Sequence, residues 1–146
     1  MPRSGRRTSG LTDDVYEGLA GFRLAMRRFL SFSEAALAEA GVTSQQYQAL
    51  LVVRTAPGWQ IRLRDLAEQM LMQHNSAVQL VDRMCAAGLA ERIPAENDKR
   101  SVLIGLTTKG ELTLESLARV HVEAMLAHEP LLAESLSRLR QVTELA

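Results

Sequence analysis

LAEQMLMQHNSAVQLVDRMCAAGLAERIPAENDKRSVLIGL, residues 66 to 106, decides how this chain folds. Within it Ala77, Leu80, Val81 and Met84 recur at i, i+3, i+4 and i+7, so one side of a helix is apolar and turns to a core. Leu63, Leu66, Ala67 and Met70 keep that period over a shorter run, and residues 71 to 73 read as the turn between the two helices. Gly88 ends the second helix. Leu89 to Ile93 and Ser101 to Leu106 then read as strands, with a polar tip from Pro94 to Arg100. Helix, turn, helix and charged hairpin, in that order, make a winged helix-turn-helix, whose second helix fits the major groove of DNA.

Outward from this stretch the chain is helical. From Thr12 apolar residues recur at Leu19, Phe22, Met26, Phe29, Leu30 and Leu37, until Gly41 breaks the period. Thr43 and Gln46 have the spacing of a capping box, Val42 can staple onto Tyr47, and Tyr47, Leu50 and Leu51 with the stem of Arg54 form the core side of the helix that follows. Ala56 to Trp59 is a turn and Gln60 to Arg62 a short strand. Thr108 and Glu111 again have capping-box spacing and open a helix through Leu114, Leu117 and Met125. Pro130 sits where a further helix can start, with Leu132, Leu136 and Leu139 on one face.

The expected fold is therefore mainly α (α+β), a winged helix-turn-helix with N- and C-terminal helices forming a dimerisation region. Residues 1–10 are expected as a flexible basic arm, 11–40 and 109–146 as dimerisation helices, and 41–108 as the DNA-binding lobe. The apolar faces of the terminal helices exceed what a small winged domain can cover. Pairing with a second copy is the natural way to bury them.

A length of 146 residues suits one domain, and 47% hydrophobic content supplies a core without approaching membrane composition. No apolar run reaches the roughly 20 residues that span a bilayer, and MPRSGRRTSG lacks the apolar segment of a secretory signal, so a cytoplasmic location is expected. The single cysteine, Cys85, forms no internal disulfide or multi-thiolate metal site, and His121 and His128 are too far apart along a helix to pair on a metal. No cofactor and no metal are expected. Net charge is zero, yet six arginines face three acids in residues 1–30, eight basic residues face six acids in residues 54–109, and the remainder is acidic. That segregation leaves a mildly basic centre, suited to salt-sensitive binding. There is no nucleophile elbow, phosphate-binding glycine loop or zinc-protease signature, and nothing points to an enzyme.

With the stripe from Ala77 to Met84 turned inward, the outer face of the second helix carries His74, Asn75, Ser76, Val78, Gln79, Asp82 and Arg83. Asn and Gln can pair bidentately with adenine, valine can touch a thymine methyl, and groups at a helix start can take a phosphate. Of these His74, Asn75, Ser76, Val78, Gln79 and Arg83 are the expected readers. In the hairpin, Arg100 suits the narrow minor groove, where negative potential concentrates. Arg62 and Arg64 are weaker phosphate candidates.

The segments LAEQM, LVDRM, AAGLAER, NDKR and LTTKG, in this order and spacing, resemble the MarR family of bacterial transcription regulators. The resemblance covers most of the chain. It implies a two-fold homodimer of interlocked terminal helices presenting two recognition helices to a pseudo-palindromic operator in double-stranded DNA. It implies that Asp98 orients Arg100 toward DNA, with Lys99 adding a phosphate contact. It also implies repression relieved by a small aromatic or lipophilic effector, for which Phe29, Phe32, Tyr47, Trp59 and His121 are the candidate pocket. Some relatives sense oxidants through a cysteine, so a thiol-based regulator acting through Cys85 is one alternative; a winged-helix subunit that binds protein without specific DNA binding is another. The chain departs from the family pattern at Leu71, where glycine is common, at Arg62 and Gln73, where small capping residues are usual, and at Val78, in place of a hydroxyl side chain.

Overall fold

The computed structural model describes residues 10–95 and 98–144, with the side chains of residues 98–101, 143 and 144 outside that description. The expected arm lies outside the described residues except for Gly10. Among the described residues five α-helices, α1 (Asp13–Ala40), α2 (Ser44–Thr55), α3 (Leu63–Gln69), α4 (His74–Ala86) and α5 (Thr108–Glu144), accompany three strands, β1 (Gln60–Arg62), β2 (Ala90–Ala95) and β3 (Asp98–Leu106). The described residues divide into two compact units, one running to Phe32 and resuming at Val122, the other Ser33–His121.

In the Ser33–His121 unit the sheet is antiparallel in the order β1-β3-β2, with Ile61 opposite Ile104 and Arg92 opposite Ile104 on the other side. Helices α2, α3 and α4 close over it. Ala49, Leu50 and Val53 of α2, Leu66 of α3, and Leu80, Val81 and Met84 of α4 bury their side chains with Ile61, Ile104 and Leu114 in one cluster. Fully burying a side chain of this size contributes about 1.5–3 kcal/mol, so this cluster is what fixes α4 against the sheet. Leu51 differs from the sequence expectation, being 37% exposed. It lies a further 100° around α2 from Leu50, outside the inward arc that Ala49 and Val53 fill. The capping box on α2 is present, with the Gln46 amide donating to Thr43 Oγ1 and the Thr43 amide to Gln46 Oε1, both at 3.1 Å.

Three helices end on the same device. At each, one amide bonds back to a carbonyl three residues earlier and the next amide to one five earlier: Gly41 to Ala38 and Val42 to Leu37, Leu71 to Glu68 and Met72 to Ala67, Gly88 to Cys85 and Leu89 to Met84. This closure puts the first of each pair in the left-handed region, at φ 69, 54 and 74 respectively. Two sites use glycine, which is free of penalty there, and the middle one uses a leucine that is 94% exposed. Leu71 therefore bears strain that no burial offsets. Leu71→Gly is expected to stabilise the protein by about 0.5–1 kcal/mol, the relief of a left-handed Cβ clash less the entropy of glycine in the unfolded chain, readable as a rise in the urea midpoint.

Two boundaries differ from the sequence reading. The strands run on to Ala95 and back from Asp98, so residues Asp98, Lys99 and Arg100 belong to β3 rather than to a long tip. Pro94 is tolerated because β2 is an edge strand, and the register shifts between Pro94 and Ala95. The C-terminal helix does not restart at Pro130; α5 continues through it to Glu144. The reason lies in the other unit, where α1 and α5 pack closely on either side of that turn. A side chain at Gly18 would press on Ser135 and Leu139, and one at Gly21 on Ser135. Arg138 ties Asp14 and Glu17 of α1 to Glu134 of its own helix. These contacts hold α5 in register although proline removes one helical hydrogen bond.

Candidate nucleic-acid interface

α4 carries its apolar stripe inward and leaves His74, Asn75, Ser76, Gln79 and Arg83 exposed, with Val78 half-buried. Its N-cap, Gln73, has extended backbone but makes no side-chain cap. The first-turn amides are thus left for solvent or an anion, on an end that carries partial positive charge. Arg62 likewise caps α3 without a side-chain bond, and Arg64, 80% exposed, reaches Asp65 only at 4.0 Å. The backbone of Asp98, Lys99 and Arg100 lies in the hairpin formed by β2 and β3, while their side chains lie outside the described residues.

Two sets of contacts fix the pose of α4, and neither was legible in the sequence. Asp82, grouped there with the outer-face residues, is held by Arg92 of β2 at 2.5 Å, and the same guanidinium lies 3.8 Å from the Cys85 sulfur. Asp82 is therefore a strut between the helix and the wing strand. Cys85 is half-buried beside that strut. At the same, C-terminal end of α4 the segment LTTKG acts as a clamp on the residues that close the helix. Lys109 Nζ donates to the Ala87 carbonyl at 2.9 Å, and Thr107 Oγ1 to that of Gly88 at 2.5 Å. The Thr107 amide donates to Leu89 O at 3.2 Å. Thr107, not Thr108, caps α5, because its hydroxyl also accepts from the Gly110 amide at 3.0 Å. Any side chain at Gly110 would overlap the Leu89 carbonyl. Both the wing and α5 thus grip the helix that would enter DNA.

The five candidate pocket residues are distributed over separate places. Tyr47 stacks on His121 with ring centroids 4.5 Å apart, inside the Ser33–His121 unit. The Leu117 carbonyl only accepts, so His121 Nδ1 carries a proton toward it at 2.6 Å, and Nε2 forms a hydrogen bond with the buried Ser33 hydroxyl at 2.8 Å. Burial pushes the Tyr47 phenol above its ordinary pKa. Trp59 sits instead under Arg54, whose guanidinium carbon is 3.6 Å from the ring centroid, at the mouth of a groove of about 380 Å3. Phe29 belongs to the other unit, where it lines an apolar cavity of about 220 Å3 with Phe22, Met26, Met125 and His128, and Phe32 is 38% exposed. Among the described residues there is no group of three or more potential metal ligands, and no helix is long and apolar enough to cross a membrane.

A family model described as the MarR family matches residues 40–101, which include α2 to α4 and the hairpin. The multiple antibiotic resistance protein MarR of Escherichia coli (strain K12) is 32% identical over 74 residues, 51% of this chain and 50% of that protein. The HTH-type transcriptional regulator FarR of Neisseria gonorrhoeae is 31% identical over 81 residues, 56% of this chain and 54% of that one. The matches thus span about half the length of these relatives. Among solved structures, AbsC, a MarR family transcriptional regulator from Streptomyces coelicolor, superposes with a TM-score of 0.73 at 26% identity, over 92% of this chain and 93% of that one. NadR in complex with 4-hydroxyphenylacetate gives 0.67 at 25% identity, over 99% and 96%.

Proposed function

We propose, from the premise that this chain belongs to the MarR family, that it is a homodimeric, sequence-specific DNA-binding transcription regulator, acting as a repressor whose hold on DNA a small-molecule effector relieves. The observation that carries the reading is α4 itself: a helix locked by wing and clamp, with an uncapped N-terminus and an exposed row of His74, Asn75, Ser76, Gln79 and Arg83. Backbone amides and His74 would take phosphate, while Asn75 and Gln79 read adenine edges in the major groove and Val78 offers an apolar contact to a thymine methyl. Arg83, with Arg62 and Arg64, adds phosphate contacts that set orientation rather than sequence preference. From the wing, Arg100 enters the neighbouring minor groove, Asp98 orients it, and Lys99 supports it on phosphate.

The dimer is supported by the unit that contains neither α4 nor the wing. Leu19, Leu30, Val122, Met125 and Leu126 are all more than 45% exposed there, an apolar surface that a second copy would bury. Two copies related by a two-fold axis present two recognition helices about one DNA turn apart, to a pseudo-palindromic site. The effector reading is supported by the cavities of each unit; the effector acts only if it binds the DNA-competent and DNA-incompetent forms unequally. Such a regulator works in the cytoplasm on the chromosome and performs no chemistry of its own.

The test is binding to the promoter DNA of the chain's own gene at moderate salt. Arg100→Ala is expected to weaken specific binding about tenfold, the effect of losing one minor-groove arginine worth ~1.4 kcal/mol. Equal, weak and sequence-independent binding by parent and variant would contradict the reading and favour a winged fold that binds protein.

A further inference from the structure

The groove beneath Trp59 lies wholly within the Ser33–His121 unit, between the end of α2, the turn before β1 and the first turns of α5. Gly58 and Trp59 both hold left-handed backbone, at φ 70 and 60, and the Trp59 amide closes the turn on Ala56 O at 2.9 Å. Left-handed backbone at a residue as large as tryptophan is strained, and here it holds an indole that is 49% exposed. Leu51, Leu114 and Ala118 give the groove an apolar floor, and Glu111 and Glu115 stand on α5. The Arg119 guanidinium pairs with Glu115 at 2.9 Å, whereas Glu111 has no ion pair among the described residues.

Arg54 is the key to what this groove accepts. Its guanidinium rests on the indole face, and it forms neither a hydrogen bond nor an ion pair with any described residue. The chain's own cation thus occupies an aromatic face beside a free carboxylate. We propose that the groove is a binding site for a lipophilic organic cation, an aryl or alkyl ammonium, which displaces the Arg54 head from Trp59, places its charge between the indole and Glu111, and lays its apolar part on Leu51 and Leu114. An aromatic face binds a desolvated cation through its quadrupole, and a flexible surface arginine gives way at little cost. The volume, about 380 Å3, is within the range of roughly 300–1,000 Å3 for small-molecule sites. With Arg54 swung into solvent, the charged side chains left lining the groove, Glu111 and Glu115, are both acidic, so anions are disfavoured. That such binding releases DNA rests on the regulator reading above; the binding itself does not.

Trp59 is the only tryptophan in the chain, so its fluorescence reports the groove directly. The experiment titrates the purified full-length protein, without DNA, with benzyltrimethylammonium and separately with benzoate. Saturable quenching is expected with the ammonium and none with benzoate. Arg54→Ala should bind the ammonium about fivefold tighter, because the competing cation is gone, and Glu111→Gln about fivefold weaker. Both residues are on the surface, and circular dichroism confirms that the variants fold; Arg54→Gln provides a second variant of the same sign. Tighter binding of benzoate, abolished in Arg54→Ala, would overturn the proposal in favour of an anion site on the arginine. Absence of saturable quenching by the ammonium in both parent and Arg54→Ala would overturn it outright. Neither outcome touches DNA binding, which is measured independently.

Discussion

The double variant Asn75→Ala, Gln79→Ala is expected to keep its fold and to lose specific DNA binding by about a hundredfold or more, since each bidentate base contact is worth ~1–3 kcal/mol. Both side chains are exposed on α4 and contribute nothing to the core formed by Ala77, Leu80, Val81 and Met84. The melting temperature should therefore hardly change. Sequence-independent binding should persist as well, because the arginines, the wing and the helix N-terminus proposed to take phosphate remain in place. Fluorescence anisotropy on a selected site and on a scrambled one separates the two terms. A variant that binds the selected site as tightly as the parent would remove α4 from the account.

The second large effect is structural. Gly110→Ala is expected to destabilise the protein by about 3 kcal/mol, near the upper end of what overpacking ordinarily costs, because the obstacle is backbone rather than a side chain that can turn aside. The methyl would overlap the Leu89 carbonyl, where the strand after α4 meets the first turn of α5. Relief requires α5 to move off, which breaks the bonds from Thr107 to Gly88 and from Lys109 to Ala87 that hold the end of α4. Thermal or urea unfolding measures the loss directly. If Gly110→Ala unfolds like the parent, the clamp is not a rigid element and α4 owes its pose to the core alone.

The elements whose signal is local were legible in sequence. The period of Ala77 to Met84, the box at Thr43 and Gln46, and the glycines at 41 and 88 each depend on neighbours within a turn or two. The family resemblance marked Leu71 as standing where glycine is common, and the structure gives the reason in its φ of 54. What was not legible depends on contacts made by residues distant in sequence. Thr107 and Thr108 are equivalent in sequence, and only the Gly88 carbonyl, nineteen residues earlier, makes the first of them the cap. Pro130 reads as a helix start until Gly18 and Gly21 are seen packing against Ser135. Asp82 reads as an outer-face residue until Arg92 engages it from the wing strand. Of the candidate pocket, Tyr47 and His121 came together, whereas Trp59 found a partner in Arg54, a residue the sequence reading valued only for its aliphatic stem.

The central claim, that two copies of α4 read a symmetric DNA sequence, is tested most directly by sequencing random DNA fragments retained by the purified protein at moderate salt. The account predicts an enriched inverted repeat whose half-sites are centred about 10–10.5 base pairs apart, one turn of the double helix. A retained pool no different from the input would contradict it.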